Sequence, residues 1–171
     1  MTASLRAEPR QHSHDRASDE RAILRTWLRM LACTNIIEGR VRGALREKFD
    51  TTLPRFDLLA QLDAARLEAP RGLTMSELSR RLMVTNGNLT GLVDRLVREG
   101  LVARVVAVPD RRAQMISLTA TGKRALDAMT PDHASWVRDM FAGLTDTDRR
   151  QLYTLLGKLK RSAQSATERV S

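Results

Sequence analysis

The segment from Leu73 to Thr119 constrains the fold more than any other part of the chain, because short helical and extended patterns follow one another at close spacing. Thr74 and Glu77 have the spacing of a capping box, in which a hydroxyl and a carboxylate satisfy the first free N–H groups of a helix. Met83-Val84-Thr85 forms a tight connection to a second helix, which ends at Gly100. Its rear face is apolar at helical spacing, with Leu89, Leu92, Val93, Leu96 and Val97. The segment therefore predicts two short helices joined by a tight turn.

A β-hairpin is predicted after the second helix. The range 101–108 is rich in valine, and the range 115–118 is short and mostly apolar, so both are typical of strands. The residues between them include Pro109 and two adjacent arginines, which predict a turn with a basic tip. Thr119 is the predicted cap of the next helix. Two helices followed by such a hairpin are the pattern of a winged helix-turn-helix.

Small polar residues open the second helix, opposite to its apolar face. They cannot form a core, but they can lie against base edges and phosphates. The second helix is therefore predicted to recognise double-stranded DNA, and the wing to contact the backbone or a minor groove. The predicted DNA contacts are Thr85, Asn86, Asn88, Thr90, Arg95, Asp110, Arg111 and Arg112.

Several motifs resemble the pattern of MarR-type bacterial transcriptional regulators. They are Met75–Ser79, Asn86–Thr90, Leu92–Leu96, Glu99–Val102 and Asp110–Ala113, closed by Ser117–Thr119 and Gly122. Outside this segment, Pro54–Leu59 resembles the family's second helix, and four leucines (152, 155, 156 and 159) resemble its final dimerisation helix. The resemblance implies that Arg112 enters the minor groove while Asp110 braces it. It also implies a ligand pocket between the first, second and fifth helices.

The net charge agrees with a nucleic-acid partner. The chain carries 29 Lys+Arg against 20 Asp+Glu, a net charge of +9, and the range 71–112 has eight basic residues against four acidic ones. Charge alone would also fit a ribosomal or membrane-surface protein, but neither class explains the helix-turn-helix spacing. One cysteine excludes an internal disulfide framework, and no apolar run is long enough for a membrane span or signal peptide, so a cytoplasmic protein is expected.

The predicted fold is mainly α with a small β wing, a winged helix-turn-helix with long N- and C-terminal dimerisation helices. Its parts are a disordered arm (1–19), an N-terminal helix for dimerisation and ligand binding (20–52), the DNA-binding domain (53–119) and C-terminal dimerisation helices (120–171). Pro131 is expected to kink or interrupt the helix after the wing, and Thr145 with Asp148 predicts a capping box for the last helix. The leucine seam of that helix needs a second copy to cover it, which predicts a homodimer and a pseudopalindromic operator.

The apolar stripe of the first helix is interrupted at Asn35, Glu38 and Arg42. One interpretation is an i,i+4 ion pair between Glu38 and Arg42; the other is a pocket for an anionic small molecule. The candidate ligand-binding residues are Trp27, Leu31, Asn35, Arg40, Arg42, Arg55 and Phe56. The ranges 53–62 and 82–102 resemble regulators of aromatic-acid catabolism, which implies an aromatic acid or its CoA thioester as effector.

The favoured function is a repressor that a small ligand releases from DNA. An architectural DNA-binding protein and a redox-sensing regulator that uses Cys33 are the alternatives. By resemblance, the peroxide-sensing position corresponds to Leu28, so a packed and inert Cys33 is expected. No nucleophile-base constellation, phosphate-binding glycine loop or metal-ligand set is evident in the sequence, so neither an enzyme nor a metal or other cofactor is predicted; His12 and His14 are interpreted as ordinary polar residues.

Overall fold

The computed structural model describes residues 10–106 and 114–168, which divide into two compact units at residue 50. The described part contains six helices and one three-stranded antiparallel sheet, which confirms the predicted mainly α fold with a small β wing, although only two of the three strands were predicted. The elements in chain order are α1 (Arg10–Phe49), α2 (Leu53–Ala64), β1 (Leu73–Thr74), α3 (Met75–Leu82), α4 (Asn86–Arg98), β2 (Val102–Val106), β3 (Gln114–Leu118), α5 (Ala120–Met140) and α6 (Asp146–Glu168). Over the described ranges, no helix combines the length and apolarity needed to cross a membrane.

The first unit consists of the single helix α1, which begins at Arg10 rather than near Glu20. The helix thus overlaps the predicted arm (1–19) at residues 10–19, and residues 1–9 lie outside the described residues. The later predicted start relied on the scarcity of apolar residues before Glu20, but the backbone hydrogen bonds of a helix do not require apolar side chains. The pair between Glu38 and Arg42 is present, with 3.5 Å between Oε2 and Nη2.

Much of the apolar surface of α1 is open to solvent in the single chain. Six large side chains are 43–62% exposed, namely Ile23, Leu24, Trp27, Leu28, Leu31 and Ile36, whereas Val41 and Leu45 are buried. Cys33 is exposed as well, so its predicted packing is wrong for the chain alone. Helical spacing sets which side of α1 a residue occupies, but not whether another element covers that side.

The second unit has a core that α2, α3, α4 and the sheet share. Its fully buried members include Leu58, Leu78, Leu96 and Ile116, one from each of these elements. The strand order is β1-β3-β2, with Leu73 opposite Ile116 and Val102 opposite Leu118. The central strand β3 thus joins the start of the helix-turn-helix to the wing.

The C-terminal helices start where the sequence predicts. The Thr119 hydroxyl accepts a hydrogen bond from the Gly122 N–H at 2.9 Å, which caps α5. Thr145 and Asp148 form the predicted capping box before α6. Pro131 was expected to kink or interrupt α5; the interruption is wrong, because α5 continues through this residue. Proline removes one helical hydrogen bond, but α5 also packs against α2, and such packing outweighs a single missing bond.

Candidate nucleic-acid interface

The turn between α3 and α4 is defined by local hydrogen bonds. Thr74 and Glu77 form the predicted capping box of α3, with Glu77 N–H to Thr74 Oγ1 at 3.2 Å and Thr74 N–H to Glu77 Oε2 at 2.8 Å. The Glu77 carboxylate accepts a second hydrogen bond from the Thr74 hydroxyl at 2.7 Å, and the bonds from the Thr74 N–H and hydroxyl lower the pKa of this carboxyl. At the other end of α3, Met83 has a left-handed φ of 54°, and the Ser79 hydroxyl donates to the Val84 carbonyl at 2.6 Å. The helix pair of a helix-turn-helix is thereby fixed by residues of the turn itself.

Helix α4 has one buried and one exposed side, as predicted. Leu89, Val93 and Leu96 are fully buried, whereas Asn88 and Arg95 are exposed. Thr85 and Thr90 are also exposed, and the placement of the Asn86 side chain lies outside what the structure describes. The exposed side therefore offers an amide and a guanidinium, two groups that can contact base edges and phosphates.

The start of α4 is suited to a phosphate. Within the described part of the chain, the Thr85 side chain makes no capping hydrogen bond to α4. Its exposed hydroxyl and the first N–H groups of the helix can therefore bind an anion, aided by the positive end of the helix dipole. The predicted wing contacts Asp110, Arg111 and Arg112 lie outside the described residues.

Two ion pairs tie α4 to neighbouring elements, and the sequence analysis did not find either one. Asp94 pairs with Arg104 of β2, and Glu99 pairs with Arg55 of α2. The Arg55 guanidinium holds the pKa of the Glu99 carboxyl below its ordinary value. Arg55 and Glu99 are 44 positions apart and meet only in the folded unit, so no short sequence motif could have predicted this pair.

The predicted ligand-binding residues have different surroundings. In α1, Trp27, Leu31, Asn35 and Arg40 are all exposed, and Arg42 pairs with Glu38.

In the second unit, Arg55 pairs with Glu99, and Phe56 is buried with its ring stacked on His133 at 4.5 Å between centroids. Burial lowers the pKa of His133. Among the described residues, no cluster of His, Cys, Asp and Glu has the arrangement of a metal site. The ligand site stays a prediction.

Comparisons with known proteins identify the family. Residues 49–113 match the sequence model of the MarR family. An HTH-type transcriptional regulator of Bacillus cereus is 30% identical over 139 residues, which cover 81% of this chain and 88% of that protein. The chain belongs to the MarR family.

Solved structures of MarR proteins agree with this assignment. AbsC from Streptomyces coelicolor has the same fold, with a TM-score of 0.72 at 22% identity over 82% of this chain and 93% of its own. Sco3205 from the same organism, solved in complex with DNA, has a TM-score of 0.71 at 26% identity over 81% of this chain and 88% of its own. This MarR protein is accordingly a DNA-binding transcriptional regulator and not an enzyme.

Proposed function

We propose that this MarR protein is a homodimeric repressor that reads a pseudopalindromic operator with α4 and leaves it when a small anionic ligand binds. The observation that carries the DNA-reading part is the two-sided character of α4, with a buried apolar side and an exposed side that presents Asn88 and Arg95. Neither architectural binding nor redox sensing explains a helix whose exposed side combines an amide with an arginine at the turn of a helix-turn-helix.

The homodimer is supported by the apolar surface at both ends of the chain. The leucines of α6 are 37–60% exposed (Leu152, Leu155, Leu156 and Leu159), and the α1 residues described above add to them. Apolar surface on this scale is typical of a protein interface. A two-fold dimer presents two copies of α4, which match half-sites one helical turn, about 34 Å, apart.

The dimer is tested by placing a charge in the leucine seam. Leu155→Asp should produce monomers in sedimentation velocity, because a carboxylate buried in an apolar interface lacks a partner. Tyr153→Asp is the matched control, because Tyr153 lies on the same helix and is 83% exposed. A dimer that persists at low micromolar concentration in Leu155→Asp would contradict the assignment of this seam.

Base reading by α4 is tested by selection from a pool of randomised operators. Asn88→Ala should relax the base preference at one position of each half-site, since asparagine makes paired contacts to adenine. Arg95→Ala should weaken binding to all sequences and lower the salt slope by about one, as expected for a lost phosphate contact. Arg138→Ala, at an exposed arginine of α5, is the control for loss of charge. Recovery of the native motif by Asn88→Ala would contradict base reading at this position.

The wing is tested separately, because its support is the resemblance of its Asp-x-Arg motif. Arg112→Ala should weaken operator binding strongly while sedimentation shows an intact dimer. Unchanged operator affinity would remove the wing from the proposed interface.

For the effector we propose an aromatic acid or its CoA thioester. The support is the sequence resemblance and the polar interruption of α1, where Arg40 is exposed. Thermal-shift screening against aromatic acids and their CoA thioesters should find a compound that raises the melting temperature. Arg40→Ala or Arg42→Ala should then bind operator but lose the response to that compound, because a ligand releases DNA only by differential affinity. A full response in both variants would exclude these arginines.

A further inference from the structure

The pair between Arg55 and Glu99 joins the first turn of α2 to the end of α4. It has two contacts, one of 2.7 Å between Nη1 and Oε1 and a second between Nη2 and Oε2. The Arg55 side chain is 23% exposed and that of Glu99 is 41% exposed, so the pair is partly shielded from solvent. A guanidinium bound at both oxygens of a carboxylate fixes direction as well as distance.

Glu99 does not serve the stability of α4 by itself. It is the C-cap residue, and the negative end of the helix dipole disfavours an acid there. Arg95 and Arg98 in the last turn already supply the cations that such an end favours. The guanidinium of Arg55 compensates for the unfavourable position of this carboxylate, which indicates that Glu99 serves to join α4 to α2.

The carboxylate is connected firmly to the helix. The Glu99 N–H donates to the Arg95 carbonyl at 3.1 Å, and the next two residues bond back into the last turn, Gly100 to Val97 and Leu101 to Leu96, both at 2.9 Å. A displacement of Glu99 therefore moves the end of α4. Because α4 has 13 residues and is about 20 Å long, a tilt of roughly 6° at this end moves the other end by about 2 Å. A displacement of this size would break hydrogen bonds between α4 and DNA, because donor–acceptor distances vary by only about 0.5 Å.

We infer that Arg55 is a positioning residue for operator recognition, which holds the C-terminal end of α4 through Glu99 without touching DNA. This inference rests on the proposal that α4 reads the operator. It predicts that operator affinity depends on the contact of Arg55 with Glu99, which lies at the opposite end of α4 from Thr85. It also predicts that affinity for random DNA, which depends mainly on phosphate contacts, responds much less.

The test compares two variants that change the charge in opposite directions. Arg55→Ala removes a positive charge and Glu99→Gln removes a negative one. If the pair acted only through net charge, the first variant would weaken binding and the second would strengthen it. If the pair positions α4, both should weaken operator binding, by about tenfold for Arg55→Ala, which corresponds to the loss of one charged hydrogen-bonding interaction.

Fluorescence anisotropy with operator and random duplexes gives the two affinities, and thermal melting shows that each variant is folded at the assay temperature. Asp127→Asn, which breaks the pair of Lys123 with Asp127 on α5, is the control for an ion pair that does not involve α4. The exchanged variant Arg55→Glu/Glu99→Arg should recover part of the lost operator affinity.

Opposite effects of Arg55→Ala and Glu99→Gln, or operator affinity within twofold of native in both, would overturn the inference. Equal losses for operator and random duplexes would overturn it too. If Asn88→Ala relaxes base preference while these results appear, the proposed function stands and only the positioning role fails.

Discussion

Gly122 provides the sharpest prediction of stability, because an added methyl group meets backbone rather than a side chain. A Cβ at this position would lie 2.0 Å from the Leu101 carbonyl oxygen and 2.8 Å from Leu118 Cδ1. Carbon and carbonyl oxygen normally approach no closer than roughly 3.3 Å. The carbonyl of Leu101 must therefore move by about 1 Å in Gly122→Ala if the methyl group is to fit.

That movement disrupts a junction of three elements. The Leu101 carbonyl accepts a hydrogen bond from the Thr119 N–H at 3.2 Å. The Thr119 hydroxyl donates to the Gly100 carbonyl at 2.7 Å, with the Leu101 carbonyl at 3.0 Å as a second acceptor, and accepts the capping bond from the Gly122 N–H at 2.9 Å. Loss of two hydrogen bonds costs about 2 kcal/mol, and overpacking adds roughly 1–3 kcal/mol. Alanine gains at most about 1 kcal/mol over glycine in a helix. The net expectation is a loss of about 2–4 kcal/mol in the free energy of unfolding.

Urea denaturation followed by circular dichroism measures this loss, and a thermal midpoint lower by roughly 4–16 °C should accompany it in a chain of this size. Gly91→Ala is the matched control, since among the described residues no atom lies within 4 Å of its added Cβ. The control should be as stable as the native protein or slightly more so. A Gly122→Ala variant that unfolds at the native midpoint or above would refute the reasoning from the close approach.

Other outcomes follow from the same kind of contact. Thr74→Ala should lower the free energy of unfolding by about 1 kcal/mol in urea denaturation, because α3 loses its cap. The pKa of Glu77 is lowered from its ordinary value of 4.5, so the stability that this carboxylate contributes should be present above pH 4.5 and be lost as the pH falls below that value. Burial lowers the pKa of His133 from 6.5, so the folded protein disfavours the protonated ring; stability should fall as the pH drops from 7.5 to 5.5, and His133→Phe should show a smaller decrease. Gly72→Ala should lower the free energy of unfolding even if neighbouring side chains adjust, because φ is +104° and the added Cβ would lie 2.2 Å from the Ile116 carbonyl oxygen. A urea midpoint equal to that of Gly91→Ala would contradict this.

The helix starts of the second unit were predictable because their chemistry is local. A threonine followed three residues later by an acid predicts a capping box, and Thr74 and Thr145 both form one. The apolar side of α4 was predictable for a similar reason, since helical spacing alone decides which residues face the core. These features need no knowledge of the rest of the fold.

The errors concern features that depend on other elements. Cys33 was expected to be packed, but its exposure depends on what covers α1 and not on the spacing within α1. Pro131 was expected to kink or interrupt α5, yet the helix, which packs against α2, is not interrupted there. The contact of Arg55 with Glu99 requires α2 and the end of α4 to meet, which only the assembled second unit determines.

Helix α4 shows how recognition and stability are divided within one element. Two glycines, two asparagines and a threonine make its sequence a poor helix former, worse than alanine by about 4 kcal/mol in total. Burial of Leu89, Val93 and Leu96 contributes roughly 5–9 kcal/mol, which exceeds that deficit. Since this burial exceeds the deficit, the exposed side is free to carry the residues that we propose contact DNA. Substitution of Asn88 by another polar residue should therefore change which bases are read and leave the fold intact.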